Sequence, residues 1–165
     1  MTDANATATR RAVATVLTEL VNGAHADATF VLNRSDAGLI DSLDRLSAGD
    51  ASRIPPGHCS SIAAHVDHLR YGIGLLNRWG QGEDPFRDAD YSVSWRTTTV
   101  SDSQWAQLRA DLRSQLAAWA ETIQRPRSLT DLELTGIVSS VVHLAYHFGA
   151  IRQIAPLIAG PRATR

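Results

Sequence analysis

Residues 60–80, SSIAAHVDHLRYGIGLLNRWG, place Ile62, Val66, Leu69, Ile73 and Leu76 at alternating spacings of four and three. That repeat follows the 3.6-residue turn of an α-helix and lays one apolar stripe along it. Three further segments carry the same signature. Residues 7–26 align Val13, Val16, Leu17, Leu20, Val21 and Ala24. Ser101-Asp-Ser-Gln104 reads as a capping box, followed by Trp105, Leu108, Leu112, Leu116, Trp119 and Ile123, with Arg109 and Arg113 left for the solvent face. A second capping box, Thr130-Asp-Leu-Glu133, opens a segment running to residue 159. Pro156 sits near the end of that segment, where a missing backbone donor disturbs only the last turn.

No stretch sustains the two-residue alternation of a strand. A shorter helix is expected over residues 36–47, using Leu39, Leu43 and Leu46, with Gly49 as its C-terminal cap. Ile54-Pro-Pro-Gly57 is a rigid connector into the next helix. The expected fold is all-α: a four-helix bundle with one additional short helix and a long loop between the second and third long helices. That loop, residues 81–100, is charged yet carries Phe86, Tyr91 and Trp95. Its aromatics argue for packing across one end of the bundle, either as plain structure or as part of a pocket wall.

A chain of 165 residues suits a single domain spanning 1–165. Its net charge of −1, with acids and bases interspersed, offers no basic footprint for nucleic acid. The one cysteine, Cys59, excludes an intramolecular disulfide and a thiolate metal cluster. No apolar run approaches the roughly 18 residues of a membrane span, so no membrane partner is expected. The first residues read as a helix start and not as a signal peptide, and the expected location is the cytoplasm. All sixteen basic side chains are arginine, to which no functional weight is given.

The chemistry lies in the histidines. His65 and His68 fall on the second long helix, and His143 and His147 on the fourth, in GIVSSVVHLAYHFGAIRQI (136–154). Residues four apart stack on one helix face with Cβ atoms about 5–6 Å apart, near enough for two imidazoles to share one ion. One such pair is a common coincidence, whereas a second on another helix is a rarer one. The fourth helix is almost uncharged between Glu133 and Arg152, so its whole middle is expected to be buried. Buried imidazoles need partners, and a cation satisfies several at once. A third ligand from the second helix would leave one coordination position open, as catalytic sites do. The helical wheel leaves that choice open. It slightly favours His65, while His68 lies nearer the edge of the apolar arc.

SIAAHVDHL followed about seventy-five residues later by VHLAYHFGAIRQ resembles the DinB/YfiT-like superfamily of small helical metalloproteins. The likeness covers essentially the whole chain, through helix order, lengths and the long connection before the third bundle helix. Carried over, the resemblance implies His68, His143 and His147 as metal ligands, with His65 one turn away as an outer-shell or pocket group. It further implies a divalent metal such as nickel or zinc and a homodimer. The implied activity is that of a metal-dependent transferase using low-molecular-weight thiols, or of a hydrolase, acting on a small-molecule substrate. The alternative reading is a metal- or ligand-binding bundle without turnover, serving as a stress-related module.

Other residues near the motif allow two readings each. Arg152 offers its planar fork to a substrate anion or to an ion pair. Tyr146 serves packing or acts as an acid, and Gly149 allows close helix packing or ligand access. His25 and His58 are expected to face solvent. No carboxylate lies on the ligand-bearing stretch of the fourth helix, and Asp67 points about a hundred degrees away from His68. That leaves His65, or a loop residue such as Glu83, as the candidate general base.

Overall fold

The structure, a computed structural model, describes residues 3–24, 29–155 and 158. Among the described residues all regular structure is helical: α1 Asp3–Asn22, α2 Leu39–Asp44, α3 Ala48–Ser52, α4 Ile62–Gly80, α5 Asp102–Gln124 and α6 Asp131–Ile154, with one 3-10 turn at Val93–Trp95. The four long helices share one core. α5 lies against α1 and α4, and α6 lies against the same two from the other side.

Local chemistry sets most of the boundaries. Ser61 accepts from Ala64 N–H and starts α4, while complete capping boxes at Ser101/Gln104 and Thr130/Glu133 start α5 and α6. Glycine at position 23, with φ of +94°, ends α1 in the left-handed conformation that side chains disfavour. The first helix therefore stops at Asn22, short of the expected residue 26; residues 25 and 26, and His25 with them, lie outside the described residues. α6 ends at Ile154, with Ala155 in extended backbone. A residue before proline is pushed out of the α region, which accounts for a helix shorter than expected. Pro156 and residue 159 are outside the described residues.

The expected helix over 36–47 is shorter, Leu39–Asp44, and a separate helix follows it at Ala48–Ser52. Ser47 caps that second helix, accepting from Asp50 N–H while the Asp50 carboxylate accepts from Ser47 N–H. Gly49 therefore lies inside α3 and caps nothing. The segment before α2 is held by Glu19, buried on α1, whose carboxylate accepts from the N–H groups of Phe30, Val31 and Leu32. Burial raises the pKa of this carboxyl, but the three donors outweigh it and hold the group below its ordinary range.

The core runs between the long helices, with Leu17, Leu69, Leu112, Leu116, Trp119, Ile123, Leu144 and Phe148 almost fully enclosed. Both buried indoles find acceptors: Trp119 Nε1 donates to Ser140 Oγ at 2.8 Å, and Trp105 Nε1 donates to the Leu46 carbonyl at 2.9 Å. Close approach of α6 to α4 occurs at Gly136, where an added Cβ would meet the Trp79 ring at 2.8 Å. Gly149, expected to serve that purpose, has open space around it.

Two expectations about α6 are corrected. Its middle is not buried all round, because Val138, Val142 and Tyr146, spaced by four, lie on an exposed face. The helix is also long and apolar enough, by length and composition, to cross a membrane, contrary to the expectation that no segment is. Ile137, Val141, Leu144, Phe148 and Ile151 on its opposite face lie in the core.

Candidate metal centre

The spacing of four on α6 brings His143 and His147 onto one face, with their Nε2 atoms 2.8 Å apart. From α4, His68 enters the same space with its Nε2 3.3 Å from that of His143. Ligand nitrogens of all three lie within 4.8 Å of one another, with His68 and His147 buried and His143 the least covered. A cation held at about 2.0–2.1 Å from each nitrogen of a tetrahedral set separates them by about 3.4 Å. The His68–His143 spacing already fits, and the His143–His147 pair needs to open by roughly half an ångström. The ligand nitrogens of His68 and His147 lie within 4.8 Å, so side-chain rotation has to bring all three to a common spacing; three neutral imidazole nitrogens are a donor set that suits a divalent ion.

Electrostatics agree with the donor role. Burial pushes the His147 imidazole down to about 3 and that of His68 to about 4, with neighbouring imidazoles adding to both shifts. Burial lowers His65 and His143 as well. An imidazole must be neutral to bind a metal. At neutral pH His68 and His147 are already neutral, each with one ring nitrogen free to bind.

His65 lies beside the triad, its Nδ1 2.9 Å from Nδ1 of His147. Tyr146 is 72% exposed and packs on the site only through an edge-on ring contact with His147, centroids 5.0 Å apart. Arg152 is not brought to the histidines. Its guanidinium donates to Asp36 at 2.8 Å and lies over the Phe148 ring, which is the ion-pair reading. His58 is exposed, as expected, and so is Cys59. Glu83 is held in an exposed ion pair with Arg78 at 2.7 Å. Asp67 is buried and accepts from Arg70 at 2.7 Å and from Thr97 Oγ1 at 2.6 Å.

The loop of residues 81–100 supplies what the helices do not. Its 3-10 turn packs on α4, and Trp95 stacks on His68 with ring centroids 4.4 Å apart and planes 25° apart. Ser94, 2% exposed, has its Oγ 2.9 Å from His68 Nδ1 and donates to the Tyr91 carbonyl at 2.8 Å. Tyr91 itself stands over His68 at 6.2 Å. The loop is thus a wall of the site, one of its two expected roles. In the sequence Trp95 and Tyr91 stand out only as loop aromatics, and nothing about a lone serine marks Ser94. The Asp67–Thr97 bond was within reach, because an acid pointing away from its histidine neighbour needs a partner of its own.

No family model, no curated protein and no solved structure matches the chain.

Proposed function

We propose that this protein is a DinB/YfiT-like four-helix-bundle metalloprotein that binds one divalent cation through His68, His143 and His147. The observation that carries the reading is the approach of three imidazoles from two helices to within 4.8 Å. Nitrogen donors suit zinc and nickel, and several other divalent metals besides. When bound, the cation supplies a Lewis acid with a position left open for water or a substrate heteroatom. The chain's own residues do the rest. His68 and His147 stay unprotonated, Trp95 and Ser94 shut out water on the α4 side, and the less covered His143 leaves a way in for a small molecule. The reaction class we assign is metal-dependent transfer to or from a low-molecular-weight thiol, or hydrolysis, with the cytoplasm as the compartment.

A second reading is supported by the carboxylates. Asp67 is spent on Arg70 and Thr97, and Glu83 on Arg78, so neither is free as a general base. A bundle that binds a metal or ligand without turnover satisfies that observation.

Elemental analysis of protein purified without an affinity tag, after incubation with zinc or nickel, tests the metal. We expect about one equivalent per chain; less than about a tenth rules out a tight three-histidine site. Conjugation of electrophiles with small thiols, and ester or amide hydrolysis, then separate enzyme from binder. Activity lost in His143→Ala with the fold intact assigns turnover to the metal, while no activity toward either class in the loaded protein favours the binder.

A further inference from the structure

The nitrogens of the cluster form a chain of contacts, and only one arrangement of protons puts a hydrogen bond in every one of them. Ser94 sets the first. Its hydroxyl proton goes to the Tyr91 carbonyl at 2.8 Å, so its oxygen can only accept from His68 Nδ1, 2.9 Å away. A neutral imidazole has a single N–H, so His68 turns a lone pair on Nε2 toward the cluster. His143 Nε2, 3.3 Å from that lone pair, must then carry the proton between them. The same His143 nitrogen stands 2.8 Å from His147 Nε2, which must also accept. His147 is left with its proton on Nδ1, and His65 Nδ1, at 2.9 Å, receives it.

We propose that Ser94 and His65 are positioning residues, neither of them a ligand, that hold His68 and His147 in the Nδ1–H tautomer with both Nε2 lone pairs facing one point. Only His143 has to move its proton, from Nε2 to Nδ1, to admit a cation. The role is the one that a carboxylate or backbone carbonyl usually plays behind a metal-bound histidine. Here the adjacent carboxylate, Asp67, is committed elsewhere, and a serine hydroxyl and a fourth imidazole take its place. His65 is itself steadied by the edge of Trp95, with centroids 5.2 Å apart and planes at 80°. The inference rests on the metal-centre reading for its purpose, but its first test needs no metal.

Long-range proton–nitrogen correlation spectra of the metal-free protein at pH 7.5 report each tautomer. We expect Nδ1–H on His68 and His147, and Nε2–H on His65 and His143. An Nε2–H tautomer on His147 in that sample overturns the proposal. The second test is zinc affinity, by competition with a chelator. Ser94→Ala and His65→Phe are each expected to weaken binding 10–100-fold. His65→Phe keeps a ring against Trp95 but accepts no hydrogen bond, so simple loss of packing does not explain its defect. His65→Asn, whose Oδ1 can stand where Nδ1 stood, should recover most of the affinity. Cobalt-loaded His65→Phe should keep the visible spectrum of the wild-type protein. Zinc binding by His65→Phe within twofold of wild type, or a cobalt spectrum showing one imidazole fewer, overturns the proposal. Wild-type protein that takes up no metal defeats the functional reading alone, since the tautomer pattern still decides this one.

Discussion

Trp95 lies nearly flat on His68, and the same indole meets His147 with ring centroids 5.7 Å apart. One loop residue therefore covers ligands from two helices, which makes it a local reporter of what binds between them. Nickel bound at the cluster should quench the emission of this tryptophan. The chain has four, so saturation should remove one tryptophan's share, and Trp95→Phe should abolish that loss. Quenching that persists undiminished in Trp95→Phe would locate the metal elsewhere.

The two histidines of α4 should separate by magnitude. His68→Ala removes a donor and should weaken metal binding by more than about a hundredfold. His65→Ala removes a neighbour of a donor and should cost about 10–100-fold. Isothermal titration with zinc ranks them, and the reverse order would show that the third ligand has been misassigned.

Acid should destabilise the metal-free fold before its carboxylates titrate. Histidine ordinarily titrates near 6.5, and burial holds His68 at about 4 and His147 at about 3 in the folded chain. The unfolded chain thus takes up protons first, and the stabilisation present above about pH 6.5 is lost as pH falls toward 4 and then 3. Glu133, held at about 2 by the Thr130 backbone donor and by Arg127, loses its contribution only below its ordinary range near 4.5. Urea midpoints of apo protein should fall between pH 6.5 and 4.5, and the slope should flatten in His147→Phe. A midpoint constant across that interval in the wild type contradicts the burial of these rings.

The wall of the site hangs on Thr97. Its hydroxyl donates to Asp67, which is 7% exposed, so Thr97→Val removes a charge-assisted bond from a buried carboxylate. We expect a loss of about 1.5–3 kcal/mol in chemical denaturation, together with faster proteolysis within residues 81–100. An unchanged stability would mean that Arg70 alone satisfies the acid.

The homodimer that the family resemblance implies would use the exposed stripe of α6, since Val142 is 62% exposed beside an apolar groove shared with Val13 and Val16. Light scattering should give a dimer for the wild type and a monomer for Val142→Glu, with the metal stoichiometry per chain unchanged. A wild-type monomer at high concentration overturns the homodimer that the resemblance implies.

Helix positions were legible because they rest on short-range chemistry. Capping boxes at Ser101 and Thr130 are written in four consecutive residues, and the stripe of α4 in its spacing. Gly49 is decided locally too, by the Ser47–Asp50 capping box that places it inside a new helix. The other departures need distant neighbours. Gly136 and Gly149 are alike in sequence, and only the presence of Trp79 against the first tells them apart. A nearly uncharged α6 did not imply burial, since a helix packed on two neighbours still leaves one face outward.

Periodicity and capping alone determined an all-helical chain and put two histidines on each of two helices, since both depend on residues within a turn or two of each other. Tertiary structure alone decided that His68 joins His143 and His147, that His65 stands behind His147, and that Ser94 and Trp95 close the wall. Those contacts join positions from 26 to 82 residues apart. Their geometry is set by how the helices cross and by where the 81–100 loop returns, which no local pattern encodes.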